Sequence, residues 1–190
     1  PPPNTSSAAS DVYKRQITGF SRFEVKGENA EAWLDKIFAT KLPKPGRARL
    51  AVMLSPTGKL KGDLTLLNWG DGTFWIMGSY YLRAWHMRWF NDQRKDGVSV
   101  RDLGDDICGF ALIGPNSDFI LQKVAEGDVS KMRFMDCKRL DIGLIQSHVA
   151  RMSVTGEMGF ELNCKMGDHI ALRRILLEAG ADQDLSLIHI

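Results

Sequence analysis

The chain has 190 residues, of which 44% are hydrophobic, so it is long enough to bury a core of its own. Its 25 basic and 23 acidic residues are interspersed and give a net charge of +2, which argues against a nucleic-acid partner. Three cysteines without a CxxC pair argue against a disulfide framework and a zinc site, and apolar runs of strand length argue against a membrane span. We expect a cytoplasmic protein, or one of the mitochondrial matrix if the source is eukaryotic.

The two ends of the chain differ in composition from the rest. Residues 1–16 are rich in Pro and Ser, and residues 183–190 follow a helix that has already reached a stop at Gly180. Both ends also resemble translated sequencing adapter. We interpret them as non-native tails and expect the natural protein to continue past each of them.

Residues 17–104 are predicted to form the first half of a duplicated domain. Residues 20–38 contain an alternating strand, a glycine turn and an amphipathic helix, with three inward side chains: Ala32, Trp33 and Ile37. The segments RLAVML and DLTLLNW follow as strands joined by a Pro-Thr-Gly turn, and TFWIM comes after an Asp-Gly turn. A helix from about Tyr80 to Asp92 closes the set.

Residues 105–182 are predicted to form a second, truncated half of the same kind. Pairing Gly27 with Gly114 also pairs Asn29 with Asn116, since 114 minus 27 and 116 minus 29 both give 87. LIQSHVARMSV and FELNC are predicted strands, and the segment 168–179 is the closing helix. The order strand, helix, strand, strand, helix therefore occurs twice, which predicts an α+β fold with mixed or antiparallel sheets and a ligand groove between the halves. Capping chemistry shared by chance is the alternative explanation.

Asp63 is the first candidate for chemistry. It follows Gly62 in KLKGDLTLL and precedes an alternating run that is predicted to half-bury it. A buried carboxylate requires a cation or hydrogen-bond donors, so this position suits a ligand with N–H groups or a developing positive charge. The alternative is an edge-strand aspartate that faces solvent.

Glu157 and Glu161 are further candidates in the segment SVTGEMGFEL. The glycines allow tight turns and close approach to a flat ring, and a carboxylate accepts two N–H donors, which matches the amino-pyrimidinone edge of a pterin. An offset of 98, from 155 minus 57, places Thr57 on Thr155 and Asp63 on Glu161. Equivalent hairpins are thus predicted to carry carboxylates, although a turn carboxylate without a ligand is the common outcome.

The segment GSYYLRAWHMRWFND brings aromatic and basic residues onto one helix. We interpret Trp85 and Trp89 as packing residues, because aromatics at helical spacing usually belong to a core. His86 has no second histidine or cysteine at ligand spacing, so no metal is expected. Arg88 is either a ligand for an anionic tail or a surface residue. Motifs for nicotinamide, nucleotide-phosphate, serine-hydrolase and zinc-peptidase chemistry are missing from the sequence.

From Gly19 to about Ala181 the chain resembles the folate-binding family typified by the glycine-cleavage aminomethyltransferase, the T-protein. The resemblance is carried, in the family's order and spacing, by FSRFEVKGENAEAWLDKI, MLSPTGKLKGDLTLL, GSYYLRAWHMRWF, GFALIGPNS and RMSVTGEMGFEL. Within this family the segment DLT, in place of Asp-Asp-Leu, is most similar to the carboxyl-terminal half of bacterial flavin-dependent dimethylglycine and sarcosine dehydrogenases.

The resemblance implies a role for six residues. Asp63 matches the catalytic carboxylate, beside the two nitrogens of tetrahydrofolate that capture the one-carbon unit. The positions that match the folate site are Thr65, Gly78, Glu157, Met158 and Gly159, the last three in the segment that grips the pterin. Relatives commonly carry aromatic residues in place of Val154 and Leu50, so we expect weaker stacking on the ligand.

The activity implied by the resemblance is capture of an iminium or formaldehyde unit from dimethylglycine or sarcosine, giving 5,10-methylenetetrahydrofolate. FAD is expected only on a separate upstream flavin domain of the same chain, which oxidises the methylated amine. One alternative is a stand-alone aminomethyltransferase acting on a lipoyl-bound aminomethyl group. Another is a folate-binding accessory protein without catalysis, against which the missing KGCYxGQ-like stretch argues.

Overall fold

The computed structural model describes residues 13–17, 19–153, 155–182 and 186–187 and divides them into two compact units. The first unit runs from Thr18 to Ile107, and the second contains the described residues at 13–17 and those from Cys108 onward. The described residues of each unit form one sheet and two α-helices, in agreement with the predicted α+β class. Among the described residues no helix is long and apolar enough to cross a membrane.

The elements follow one another in a strand-rich order. In chain order they are β1 (Tyr13–Gln16), β2 (Phe20–Lys26), α1 (Ala30–Ile37), β3 (Arg47–Leu54), β4 (Leu60–Asn68), β5 (Phe74–Ser79), α2 (Arg83–Gln93), β6 (Ser99–Asp102), β7 (Ile107–Ile113), α3 (Ser117–Gln122), β8 (Cys137–Ile142), β9 (Ile145–Ala150), β10 (Gly159–Lys165), α4 (His169–Ala179) and β11 (Ser186–Leu187). Short 3-10 turns precede α2 and α4.

The sheet of the first unit has the strand order β3-β4-β5-β2-β6, and all neighbouring strands are antiparallel. One face of this sheet packs on α1 and α2. The buried core between them contains Phe23, Val25, Ala30, Trp33, Leu34, Phe38, Ala51, Met53, Leu64, Leu66, Phe74, Ile76, Phe90, Val98 and Val100. Burial of this apolar area is the main favourable term in the folding of the unit.

The sheet of the second unit has the order β11-β1-β7-β10-β9-β8. Its core lies against α3 and α4 and includes Phe110, Leu121, Val149, Leu162 and Leu176. The short strands β1 and β11 come from the segments predicted to be tails, and β1 runs antiparallel to β7 and parallel to β11. The remaining tail residues lie outside the described residues, and the non-native origin of both tails stays a prediction.

The glycine turns that open α1 and α3 have the same geometry in both units. Gly27 has φ of 125° and Gly114 has φ of 133°, a region open to glycine and strained for other residues. The carbonyl of Gly27 accepts a hydrogen bond from Ala30 N at 3.1 Å, and that of Gly114 accepts one from Ser117 N at 3.0 Å. These turns have the predicted spacing of 87 residues.

The two hairpin turns are also alike. The hydroxyl groups of Ser55 and Thr57 lie 3.0 Å apart, and those of Ser153 and Thr155 lie 2.8 Å apart. The glycine after each threonine has a positive φ, 77° in the first unit and 80° in the second. Serine and threonine hydroxyls stabilise such turns locally, so the likeness at an offset of 98 extends from sequence to geometry.

Two details differ from the sequence prediction. In the second unit three strands separate the helices instead of the two predicted segments, because β8 was not recognised in the polar segment CKRLDI. The inward face of α1 consists of Ala30, Trp33 and Leu34, whereas Ala32 is exposed, so the assignment of Ala32 to the core was wrong. The buried set follows the i, i+3, i+4 spacing of one helix face.

Candidate functional site

Asp63 and Thr65 lie on the face of the first sheet that is turned away from its own helices. The alternate leucines of β4 belong to the core beneath α1 and α2, so the residues between them point to the opposite side. In an antiparallel sheet directly opposed residues share a face. Val52 is opposite Asp63, and Leu50 is opposite Thr65. We call these four residues the helix-free face of the first unit.

Asp63 is exposed on this face, so the prediction that it would be half-buried was wrong. Strand alternation decides which face a residue occupies, but not whether anything covers that face. The alternative is right that Asp63 faces solvent, but its strand β4 lies between β3 and β5 and not at the edge of the sheet. Within the described part of the chain, the Asp63 carboxylate makes no hydrogen bond or ion pair. It is therefore an accessible negative charge without a neutralising partner among those residues.

Gly78 does not present its side-chain position to the helix-free face. A Cβ built on Gly78 would collide with the Leu64 side chain and lie 3.7 Å from His86 Cε1, on the helix side of the sheet. Thr65, by contrast, is half-buried two residues from Asp63 on the same face. The structure thus brings Asp63 and Thr65 together and leaves Gly78 as a close-packing position one strand away.

Three predicted residues of the second unit are consecutive: Glu157 and Met158 end a turn, and Gly159 is the first residue of β10. Glu157 is exposed, Met158 is half-buried, and the Met158 carbonyl accepts a hydrogen bond from Gly114 N at 2.8 Å. A Cβ on Gly159 would lie 2.9 Å from Ser153 Cβ, closer than side-chain atoms approach. The turn is therefore tied to the start of α3 and requires glycine directly after it. Val154 lies outside the described residues.

Glu161 occupies the position in the second unit that Asp63 occupies in the first. It is opposite Ala150 on β9, as Asp63 is opposite Val52 on β3, with the offset of 98 preserved on both strands. The environments nevertheless differ, because Glu161 is 4% exposed and Asp63 is exposed. The carboxylates are equivalent in register but not in burial.

Arg151 is a candidate that the sequence did not reveal. Its half-buried side chain lies next to the turn, where one guanidinium nitrogen, Nη2, donates to Met158 Sδ at 2.9 Å. The Nε atom is buried and has no hydrogen-bond acceptor among the described residues. Arg151 opens the segment RMSVTGEMGFEL, but an arginine at the end of a strand is not by itself a functional signal.

The aromatic residues of α2 have a packing role, as predicted. The rings of Trp85 and Trp89 are stacked with an interplanar angle of 6° and pack against the core of the first unit. The Lys61 ammonium lies 5.2 and 5.1 Å from their ring centroids, within the range of cation–π contacts. Arg88 is exposed and borders a shallow depression with Tyr80. The described residues contain no cluster of three or more metal-ligating side chains.

His86 is buried between α2 and the sheet, and this burial predicts a pH-dependent stability. Burial lowers the pKa of His86 below its ordinary value, and the Lys61 backbone opposes this only in part. The unfolded chain then binds a proton below about pH 6.5 that the folded chain does not, so the free energy of unfolding decreases as the pH falls through that range. Chemical denaturation at about pH 7.5 and 5.5 should show this decrease, and His86→Leu should reduce it.

A matched core substitution separates titration from packing. Phe90 is buried and stacks on His86 but does not titrate. Phe90→Leu should lower the stability at both pH values and keep the wild-type difference between them. If the free energy of unfolding depends on pH equally in wild type and in His86→Leu, His86 is excluded as the source of that dependence.

The fold and these residues define a duplicated α+β domain with repeated hairpins and an acidic turn. Residues 7–189 match the GCVT N-terminal domain, and the chain belongs to this family. The family predicted from the sequence is confirmed.

The chain is similar to curated proteins of two kinds. It is 28% identical over 174 residues to human mitochondrial dimethylglycine dehydrogenase, covering 89% of this chain and 20% of that protein. It is 29% identical over 170 residues to the aminomethyltransferase of Anoxybacillus flavithermus, covering 88% of this chain and 47% of that protein. The chain therefore spans from 20% to 47% of the length of these relatives.

Solved structures agree with the predicted T-protein-like fold. The glycine cleavage system aminomethyltransferase T from Bartonella henselae matches with a TM-score of 0.80 at 20% identity, over 93% of this chain and 47% of that chain. The heterotetrameric sarcosine oxidase from Corynebacterium sp. U-96 matches with a TM-score of 0.73 at 17% identity, over 94% of this chain and 88% of that chain. At these identities the likeness establishes the fold.

Proposed function

We propose that this chain is a tetrahydrofolate-binding domain of a one-carbon enzyme, with Asp63 as its catalytic carboxylate. Membership of the GCVT N-terminal domain family supports the assignment to one-carbon transfer. The observation that carries the catalytic part is the Asp63 carboxylate itself. It is exposed on the helix-free face and has no partner among the described residues, so it is available to a ligand.

The residues present suit tetrahydrofolate as a ligand. Glu157 and Asp63 offer exposed carboxylates for N–H groups. In this proposal Glu157, Met158 and Gly159 bind the pterin, Thr65 and Gly78 are further residues of the folate site, and Asp63 is the catalytic carboxylate. When bound, tetrahydrofolate supplies the two nitrogens that accept the one-carbon unit.

Asp63 has two tasks in the proposed reaction. It takes up the proton that is released as the new carbon–nitrogen bond forms, which is general-base catalysis. Its negative charge also stabilises the positive charge on the transferred carbon, an effect that grows as bound ligand displaces water.

The source of the one-carbon unit has two candidates. Similarity to dimethylglycine dehydrogenase favours an iminium or formaldehyde unit from a methylated amine oxidised by a separate FAD domain. Similarity to aminomethyltransferase favours a lipoyl-bound aminomethyl group, at nearly the same identity. The alternative to both donors is a folate-binding accessory protein that catalyses no transfer.

A turnover assay with both donors tests the proposal. The chain is mixed with tetrahydrofolate and either formaldehyde or an aminomethyl-lipoyl carrier, and formation of 5,10-methylenetetrahydrofolate is compared with the spontaneous rate. We expect acceleration with at least one donor, and the donor that responds identifies the reaction. Spontaneous rates with both donors, together with saturable folate binding, would favour the accessory role and refute the catalytic one.

A further inference from the structure

The Arg151 guanidinium is poorly satisfied by the described residues of the second unit. Its Nε–H is buried without an acceptor, and Nη2 donates to a thioether sulfur, Met158 Sδ, at 2.9 Å. Thioether sulfur is a weak acceptor, whereas a guanidinium carries five donors that match carboxylate, phosphate or carbonyl oxygens. No described carboxylate pairs with this arginine.

The backbone around Arg151 is firmly held. Arg151 N donates to the Asp136 carbonyl at 2.8 Å, and the Arg151 carbonyl accepts from Met135 N at 2.8 Å. Met135 has φ of 67°, the left-handed region, which is unfavourable for residues other than glycine. The arginine is therefore fixed beside the Glu157 turn by a strained and doubly hydrogen-bonded segment.

Buried donors are almost always satisfied in native proteins, so an orphaned one requires an explanation. One explanation is a ligand oxygen, bound at the turn, that accepts a hydrogen bond from the guanidinium. An amino-pyrimidinone ring presents two N–H donors and an adjacent carbonyl oxygen along one edge. A carboxylate next to a guanidinium offers two acceptors and a donor, which is the complementary set. Met158 directly follows Glu157 in the chain, so Arg151 contacts the turn that carries this carboxylate.

We propose that Arg151 is a ligand-binding residue that donates to the ring carbonyl oxygen while Glu157 accepts the two N–H groups. This inference rests on the proposed folate site and adds a specificity-determining residue to it. Arg151 would then select ligands with an oxygen at the 4-position over those with an amino group, because an amino group there opposes the guanidinium donors.

This assignment is tested by measuring two ligands against two proteins, as in a double-mutant cycle. Titration calorimetry measures the affinities of tetrahydrofolate and its 4-amino analogue for wild type and for Arg151→Met. The substitution should weaken binding of the 4-oxo ligand by about 10- to 100-fold, the usual effect of losing a charged hydrogen bond, and should leave the 4-amino ligand nearly unchanged. Arg151→Lys should retain part of the selectivity. If Arg151→Met does not fold, Arg151→Gln takes its place.

The matched control is Arg174→Met in α4, which removes the same charge from an exposed position of the same unit. It should keep both wild-type affinities. Equal weakening of the two ligands by Arg151→Met would indicate a structural role and overturn the inference, while the proposed function would stand. A wild-type chain that binds neither ligand would overturn both.

Discussion

Asparagine in place of Asp63 is expected to remove most of the one-carbon transfer, by on the order of 10²- to 10⁴-fold, as for loss of a general base. Tetrahydrofolate affinity should remain within about tenfold, because the amide keeps the shape of the side chain and one oxygen acceptor. The stability should not change, since Asp63 is exposed and makes no contact with a described charged group. Single-turnover rates, calorimetric affinities and melting temperatures of the two proteins measure these three effects.

Asp35 provides the matched control for this substitution. It is an exposed aspartate of the same unit, on α1, and it has no hydrogen bond or ion pair within the described residues. Asp35→Asn should retain the wild-type rate. Unchanged turnover in Asp63→Asn would remove Asp63 from the mechanism, and a comparable loss in Asp35→Asn would point to a general charge effect.

The largest effect on stability is expected for Gly27→Ala. Gly27 has φ of 125°, and a Cβ there would run into the backbone carbonyl oxygen of Gly97, which cannot move aside as a side chain could. Backbone strain and overpacking together should lower the free energy of unfolding by about 3 kcal/mol or more. For a chain of this size the melting temperature should fall by about 6 to 12 °C.

Gly58→Ala is the control that separates backbone strain from the steric overlap expected at Gly27. Gly58 also has a positive φ, 77°, but a Cβ on it would meet nothing within 4 Å. This variant should therefore lose only the conformational term, about 1 kcal/mol. Equal losses in calorimetric melting of the two variants would contradict the role assigned to the Gly97 carbonyl.

The parts of the fold predicted well from the sequence are those fixed by local chemistry. The turns at Gly27 and Gly114 follow from glycine and asparagine ahead of an amphipathic helix, and the structure gives them almost the same φ. The strand β8 was missed because its segment CKRLDI shows little apolar alternation. Its pairing with β9 comes from tertiary context, which a single sequence does not contain.

The candidate site was only partly predictable for the same reason. Alternation along β4 correctly separates Asp63 from the leucines of the core, but the exposure of Asp63 depends on what covers its face. Glu157, Met158 and Gly159 adjoin in sequence and so were found as one segment. Arg151 was missed because its contact with Met158 Sδ is visible only in three dimensions.

Equilibrium binding of tetrahydrofolate to the wild-type chain tests the central claim most directly. Titration calorimetry or quenching of tryptophan fluorescence should show saturable binding, with a dissociation constant between about 1 μM and 1 mM, the ordinary range for enzyme substrates. No saturable response up to about 1 mM ligand, from a chain whose melting transition shows it to be folded, would contradict the proposed folate site.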